Sequence, residues 1–137
     1  MKKNLSIGLL AGLLMMIAGM LNGMMFQLLF PSIKIEYQNE QLFRPWTDPL
    51  MSLMFVQPFI VGIILAWIWS NTKALFTATV WWKKGMGFGL VYILVSIPGM
   101  IMSYSSFPVS CLLILSWTTS IVIEALLAGL LFSRMLR

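Results

Sequence analysis

Histidine is missing from the chain altogether, and cysteine occurs once in 137 residues, at Cys111. A zinc site of the usual Cys/His kind is thereby excluded, together with any mechanism that needs an imidazole base. A single thiol also forbids an intrachain disulfide. Charge is scarce: Lys, Arg, Asp and Glu make up 9% of the residues, against roughly a quarter in a soluble domain. Only Glu36, Glu40, Asp48 and Glu124 are acidic. There is no GxSxG elbow, no HExxH and no pair of aspartates inside an apolar run, so the motifs of intramembrane catalysis are lacking. Asp48 and Glu124 belong at different depths and cannot share a proton. With no nucleophile–base pair and no ligand set, the expectation is a protein without enzymatic activity, metal or cofactor.

What the chain has instead is apolar length. Apolar residues make up 60%, and the mean hydropathy is +0.93. Four runs, at 6–30, 50–70, 86–105 and 109–133, are each long enough to cross a hydrocarbon layer of ~30 Å at ~1.5 Å per residue. They take up about two thirds of the chain, so the loops are too short to fold separately. The predicted fold is all-α: one domain of four transmembrane helices in an antiparallel bundle. Met1-Lys2-Lys3 followed by an apolar run is similar to the start of a secretory signal. The run resumes as Met24–Phe30, however, and is too long for a signal core, which predicts a retained first helix.

The net charge of +5 is topological rather than a nucleic-acid footprint, since three basic residues never occur in a row. Lys2, Lys3, Lys73, Lys83, Lys84, Arg134 and Arg137 flank one side of the predicted spans. Lys34 and Arg44 flank the other, diluted by Glu36, Glu40 and Asp48. This bias predicts that both termini are cytoplasmic, in a bacterial cytoplasmic (inner) membrane. Trp46, Trp67 and Trp69 stand where aromatic anchors at the headgroup level are expected. The connection 71–85, with Lys73, Trp81, Trp82, Lys83 and Lys84, suits a segment lying on the inner leaflet or an ordinary anchored loop. In the outer loop, Pro45 and Pro49 confine any helix to about 35–44.

The last span carries a polar stripe: Ser116, Ser120 and Glu124 recur every four residues and share one helix face. Glu124 is the only charge inside any of the four runs. A carboxyl at such depth marks a function or a specific internal partner. The first span offers a complementary surface, in which Gly8, Gly12, Gly19, Asn22 and Gly23 fall within an arc of roughly 100°. Gly8/Gly12 and Gly19/Gly23 are GxxxG spacings, which predict the close approach of another backbone: the fourth span, or a second copy. Counted from the inner boundary, Glu124 comes out at roughly 13 Å, Ser96 at about 15 Å, Gln57 at about 18 Å and Asn22 at about 24 Å. No Lys or Arg occurs at these depths, so hydrogen bonding of a neutral carboxyl to Gln57, Ser96 or Tyr92 is the expected solution.

Pro58 and Pro98 sit near mid-span, where each removes a helix hydrogen bond and can serve as a hinge. The methionines of 15–25 scatter around their helix, as adaptable packing does, rather than converging as copper ligands would. There is also a faint internal echo: Lys3 and Gly8 are spaced like Lys84 and Gly89, and Pro49 and Pro108 each open an inward span. Two parallel hairpins would produce it, and so would chance likeness of apolar segments. Four spans with one intramembrane glutamate are similar in outline to the small multidrug-resistance exporters. That family holds its glutamate in the first helix and this chain in the fourth, so membership does not follow. The expected role is a scaffold or accessory subunit of a membrane assembly, in contact with the lipid bilayer and not with nucleic acid. The alternative is a homo-oligomeric transporter or channel that uses Glu124 to carry a proton or cation.

Overall fold

A computed structural model describes residues 2–136. Arg137, one of the flanking bases above, lies outside the described residues. Helix α1 spans Lys2–Leu29, and the short α2 spans Pro31–Tyr37. Then come α3 at Leu53–Thr72, α4 at Trp81–Ser106 and α5 at Cys111–Met135. No strand occurs among the described residues. Helices α1, α3 (with its flanking single turns), α4 and α5 are each long and apolar enough to span a membrane. The chain is an all-helical, multi-pass integral membrane protein.

Proline punctuates the loop side in a way that corrects the expected 35–44 helix. Pro31, placed in the first turn where its missing N–H costs nothing, starts α2 instead. The chain beyond Tyr37 runs in turns, held by an Arg44–Asp48 ion pair at 2.8 Å. Asp48 accepts from the Leu50 N–H at 2.9 Å and so caps the single turn Pro49–Ser52 that leads into α3. At the opposite side, Trp81–Gly85 is not part of the connection but forms the first turn of α4.

The start of α1, the end of α5 and the turn between α3 and α4 lie at one end, the basic end; α2 and the turn between α4 and α5 lie at the other, the loop end. Helix α1 sits between α3 and α5, and α4 packs along α5. The two hairpin pairs are closed by glycine. A Cβ at Gly8 would come 2.7 Å from the Ile63 Cα, and one at Gly12 would come 2.5 Å from the Phe59 Cα. Gly62 faces them from α3 against the Gly8 carbonyl. In the second pair, a Cβ at Gly85 would come 2.6 Å from the Gly129 carbonyl, and one at Gly89 would come 2.9 Å from the Ala125 carbonyl. Side-chain-free contact brings helix axes close and lets dispersion between backbones hold them, since lipid supplies no hydrophobic drive. The structural counterpart of Gly8–Gly12 is therefore Gly85–Gly89, one turn earlier than the echo in the sequence implies.

The core gathers toward the basic end. Ile7, Ala11 and Met15 of α1 meet Leu65, Ala66 and Trp69 of α3, with Phe88, Ala128 and Phe132 from the other hairpin. Trp69 and Phe88 stand edge to face at 5.3 Å, and Phe88 meets Phe132 at 6.1 Å. Trp69 is only 2% exposed, so it is a core residue and not part of an interfacial belt. Trp67, two residues earlier and on the opposite face, is 63% exposed, as an anchoring residue has to be. A second cluster of Phe26, Ile33, Val109 and Leu113 seals the loop end.

Candidate functional site

Helix α5 is set in register from its first turn. The Ser110 hydroxyl caps it by accepting from the Leu113 N–H at 3.2 Å, and the Glu36 carboxylate accepts from both the N–H and the hydroxyl of Ser110. A carboxylate over a helix N-terminus also meets the positive end of the helix dipole. Trp117 donates to the Tyr37 hydroxyl at 2.7 Å, and Phe43 packs edge-on against Trp117. Burial pushes the Tyr37 phenol above its ordinary value, partly offset by the Trp117 hydrogen bond. Arg44 holds the Asp48 carboxyl below the ordinary carboxylate value through their hydrogen bond.

This register turns the stripe of α5 toward α1. Asn22 donates from one amide nitrogen to the Ser116 carbonyl at 3.0 Å and to the Ser120 hydroxyl at 2.8 Å. Asn22 is 4% exposed and Ser116 2%. One turn toward the basic end, Glu124 lies against Gly19, where a Cβ would sit 2.6 Å from the Glu124 Oε1. The approach follows from direction. Side chains tilt toward the N-terminus of their helix, so on antiparallel helices Glu124 and Asn22 lean toward each other. Gly19 provides the space between. The Oδ1 of Asn22 is buried and has no hydrogen-bond partner among the described residues.

Several expectations need correction. Gly8 and Gly12 do receive a backbone, but it belongs to α3, not to the fourth span. Gly19 receives the Glu124 side chain rather than a backbone, and Gly23 has nothing within 4 Å. Gln57 is exposed on the outer surface of α3 and cannot reach Glu124. Ser96 donates back to the Tyr92 carbonyl in its own helix at 2.8 Å. Tyr92 packs against the aromatic core and is within electrostatic range of Glu124, without a hydrogen bond to it. Pro58 is buried in the clasp against Gly12, and both α3 and α4 run unbroken through their prolines, Pro58 and Pro98.

The member that sequence reasoning passed over is Asn22 as the partner of the stripe. A signal for it existed, since the rise that sets Asn22 at about 24 Å sets Ser116 at about 25 Å. Chemically the seam offers a carboxyl, a hydroxyl and a free amide oxygen, all oxygen donors, with Asn22 buried and Ser120 and Glu124 partly so. They suit a proton or a small hard cation better than a soft metal. Among the described residues, no three His, Cys, Asp or Glu side chains come together. No family model matches the chain, and no curated protein or solved structure proves similar to it.

Proposed function

We propose that the chain is a non-enzymatic subunit of a larger membrane assembly, docked through the face of α3 that carries Gln57, with both termini in the cytoplasm. One observation carries this reading: Gln57 is exposed on a span surface beside Met54, Val56 and Ile60, which are also exposed. Serine and threonine in the spans fold back onto their own helix, as Ser96, Thr118 and Thr119 do at 2.8 Å each. Gln57 has no such bond, and Pro58 beside it has no N–H for the Met54 carbonyl one turn back. A side-chain amide left facing hydrocarbon is costly, on the order of several kcal/mol. A helix of another polypeptide, or of a second copy, that offers a donor and an acceptor there removes the penalty.

A photocrosslinking amino acid at position 57, compared with one at Val95 on α4, which is 71% exposed, tests the reading in intact membranes. A discrete protein adduct from position 57, weakened when Met54 and Ile60 are enlarged to Trp, is the expected result. Lipid adducts alone at both positions would rule the docking face out.

A second reading, proton- or cation-coupled transport, is favoured by the free Oδ1 of Asn22 beside Ser120 and Glu124. It expects Glu124→Gln to keep the fold, because glutamine has nearly the same shape, and to abolish coupled flux in proteoliposomes because it does not titrate. Flux that survives the substitution excludes this reading.

A further inference from the structure

The basic end holds a site that neither reading uses. Where the chain leaves α3 and enters α4, a cleft of about 690 Å³ opens between the turn after α3 and the last turn of α5. That volume falls within the ~300–1,000 Å³ range of small-ligand sites. Lys73 and Lys84 line it with Thr79 and Ser133, and Trp69 and Trp81 form its walls. Lys73 is held in place by donating to the Leu136 carbonyl at 3.1 Å. At the rim, the Arg134 guanidinium lies over the Trp81 ring at 5.4 Å, and Lys83 over Trp82 at 5.5 Å. Val80 leaves the first turn of α4 without a side-chain cap, so the positive end of that helix faces the same space.

These cations have no side-chain counter-ion of their own. The four acidic side chains of the sequence are Glu36 in α2, Glu40 and Asp48 in the loop-end turns, and Glu124 within the span. The only side-chain ion pair among the described residues, Arg44–Asp48, is also at the loop end. Two half-buried lysines line a cleft that no acidic side chain among the described residues reaches, an arrangement that favours an anion. The site lies at the level of the last turn of α5, one turn beyond the Gly85–Gly129 crossing, where headgroups meet a span. Trp81 and Trp82 are the residue type that occupies this level. Lysine stems can lie along the apolar walls while their ammonium groups meet a charged head.

We propose that this cleft binds the phosphate of an anionic phospholipid from the leaflet at the basic end. Lys73 and Lys84 pair with the phosphate oxygens, Thr79 donates to the headgroup, and the acyl chains leave along the apolar surface of α4. The assignment is independent of the docking face on α3.

The test uses the full chain in nanodiscs of phosphatidylcholine with and without phosphatidylglycerol, read by native mass spectrometry and by thermal unfolding. The unmodified protein should retain phosphatidylglycerol in preference to phosphatidylcholine, with one lipid held most tightly. Removing a lysine near anionic lipid weakens binding roughly fivefold, so Lys73→Gln with Lys84→Gln should weaken retention on the order of 25-fold. Lys2→Gln with Lys3→Gln removes the same charge at the same end outside the cleft and should weaken retention distinctly less, since only the diffuse attraction is lost. Equal losses in the two pairs would mean diffuse attraction and would overturn the site. Inorganic phosphate at matched ionic strength serves as the other arm. If it alone reproduces the full thermal shift, the site takes a free anion and the lipid assignment fails. No preference for phosphatidylglycerol in the unmodified protein overturns the proposal whether or not the variants fold.

Discussion

At the scale of single residues, two glycines on one helix do opposite work. The space at Gly12 is bounded by backbone, the Phe59 Cα at 2.5 Å and the Pro58 carbonyl at 2.8 Å. The space at Gly19 is bounded by the mobile end of the Glu124 side chain. Backbone cannot swing aside, and a carboxyl can. Gly12→Leu should therefore push α1 from α3 and destabilise by ~1–3 kcal/mol, as overpacking does. Gly19→Ala should stay within about 1 kcal/mol of the parent, because only a side chain moves. Thermal unfolding of both variants in one detergent is the measurement. Comparable losses would show that the backbones of α1 and α5 also touch at Gly19. The GxxxG spacing in the sequence does not distinguish these cases, since it marks the lack of a side chain and not what fills the space.

At the scale of elements, α2 matters more than its seven residues suggest. Through Glu36 it caps α5, and through Tyr37 it meets Trp117 a further two turns along. The Tyr37 phenol has its folded pKa raised above 10 by burial, so its contribution to stability is complete below pH 10. That contribution is lost as the pH climbs from 10 through the raised folded value, because the unfolded chain ionises first. An alkaline change in Trp117 fluorescence is the expected signal, with its midpoint above 10. Tyr37→Phe should abolish that change while leaving the neutral-pH spectrum nearly intact. None of this is visible in the apolar pattern, which marks span 109–133 but not what holds its first turn. Pro45 and Pro49 were legible as punctuation, but Pro31 was not read as a start, and the helix it begins opens four residues before the expected one.

At the scale of the whole molecule, the four spans and their up-and-down order were legible because length and hydropathy suffice to define a crossing. Depth was legible too: Glu124 lies one turn from Ser120, and Asn22 is level with Ser116. Rotation about each helix axis was not. Helix α3 is apolar nearly all round, so nothing in its pattern indicates that Gln57 turns outward while Pro58 turns in. The count along the axis placed Gln57 near Glu124 in height, and the structure separates them around the bundle. Azimuth comes from the glycine contacts, which depend on both partners at once. Those contacts also differ in how far apart their halves lie along the chain. Gly12 and Gly62 are 50 residues apart, and Gly89 and Gly129 are 40, whereas Asn22 reaches Ser116 across 94. A ribosome completes the first pair at Gly62, and the first half of the widest pair waits longest for its second. The first hairpin can settle as soon as α3 has been threaded into the bilayer, long before α5 exists. Asn22 then spends the remainder of synthesis facing lipid with its amide unsatisfied. The seam that holds Glu124 is the one whose first half waits longest for its second, so an insertase that shields a lone polar helix face would have its natural substrate in the half-made chain.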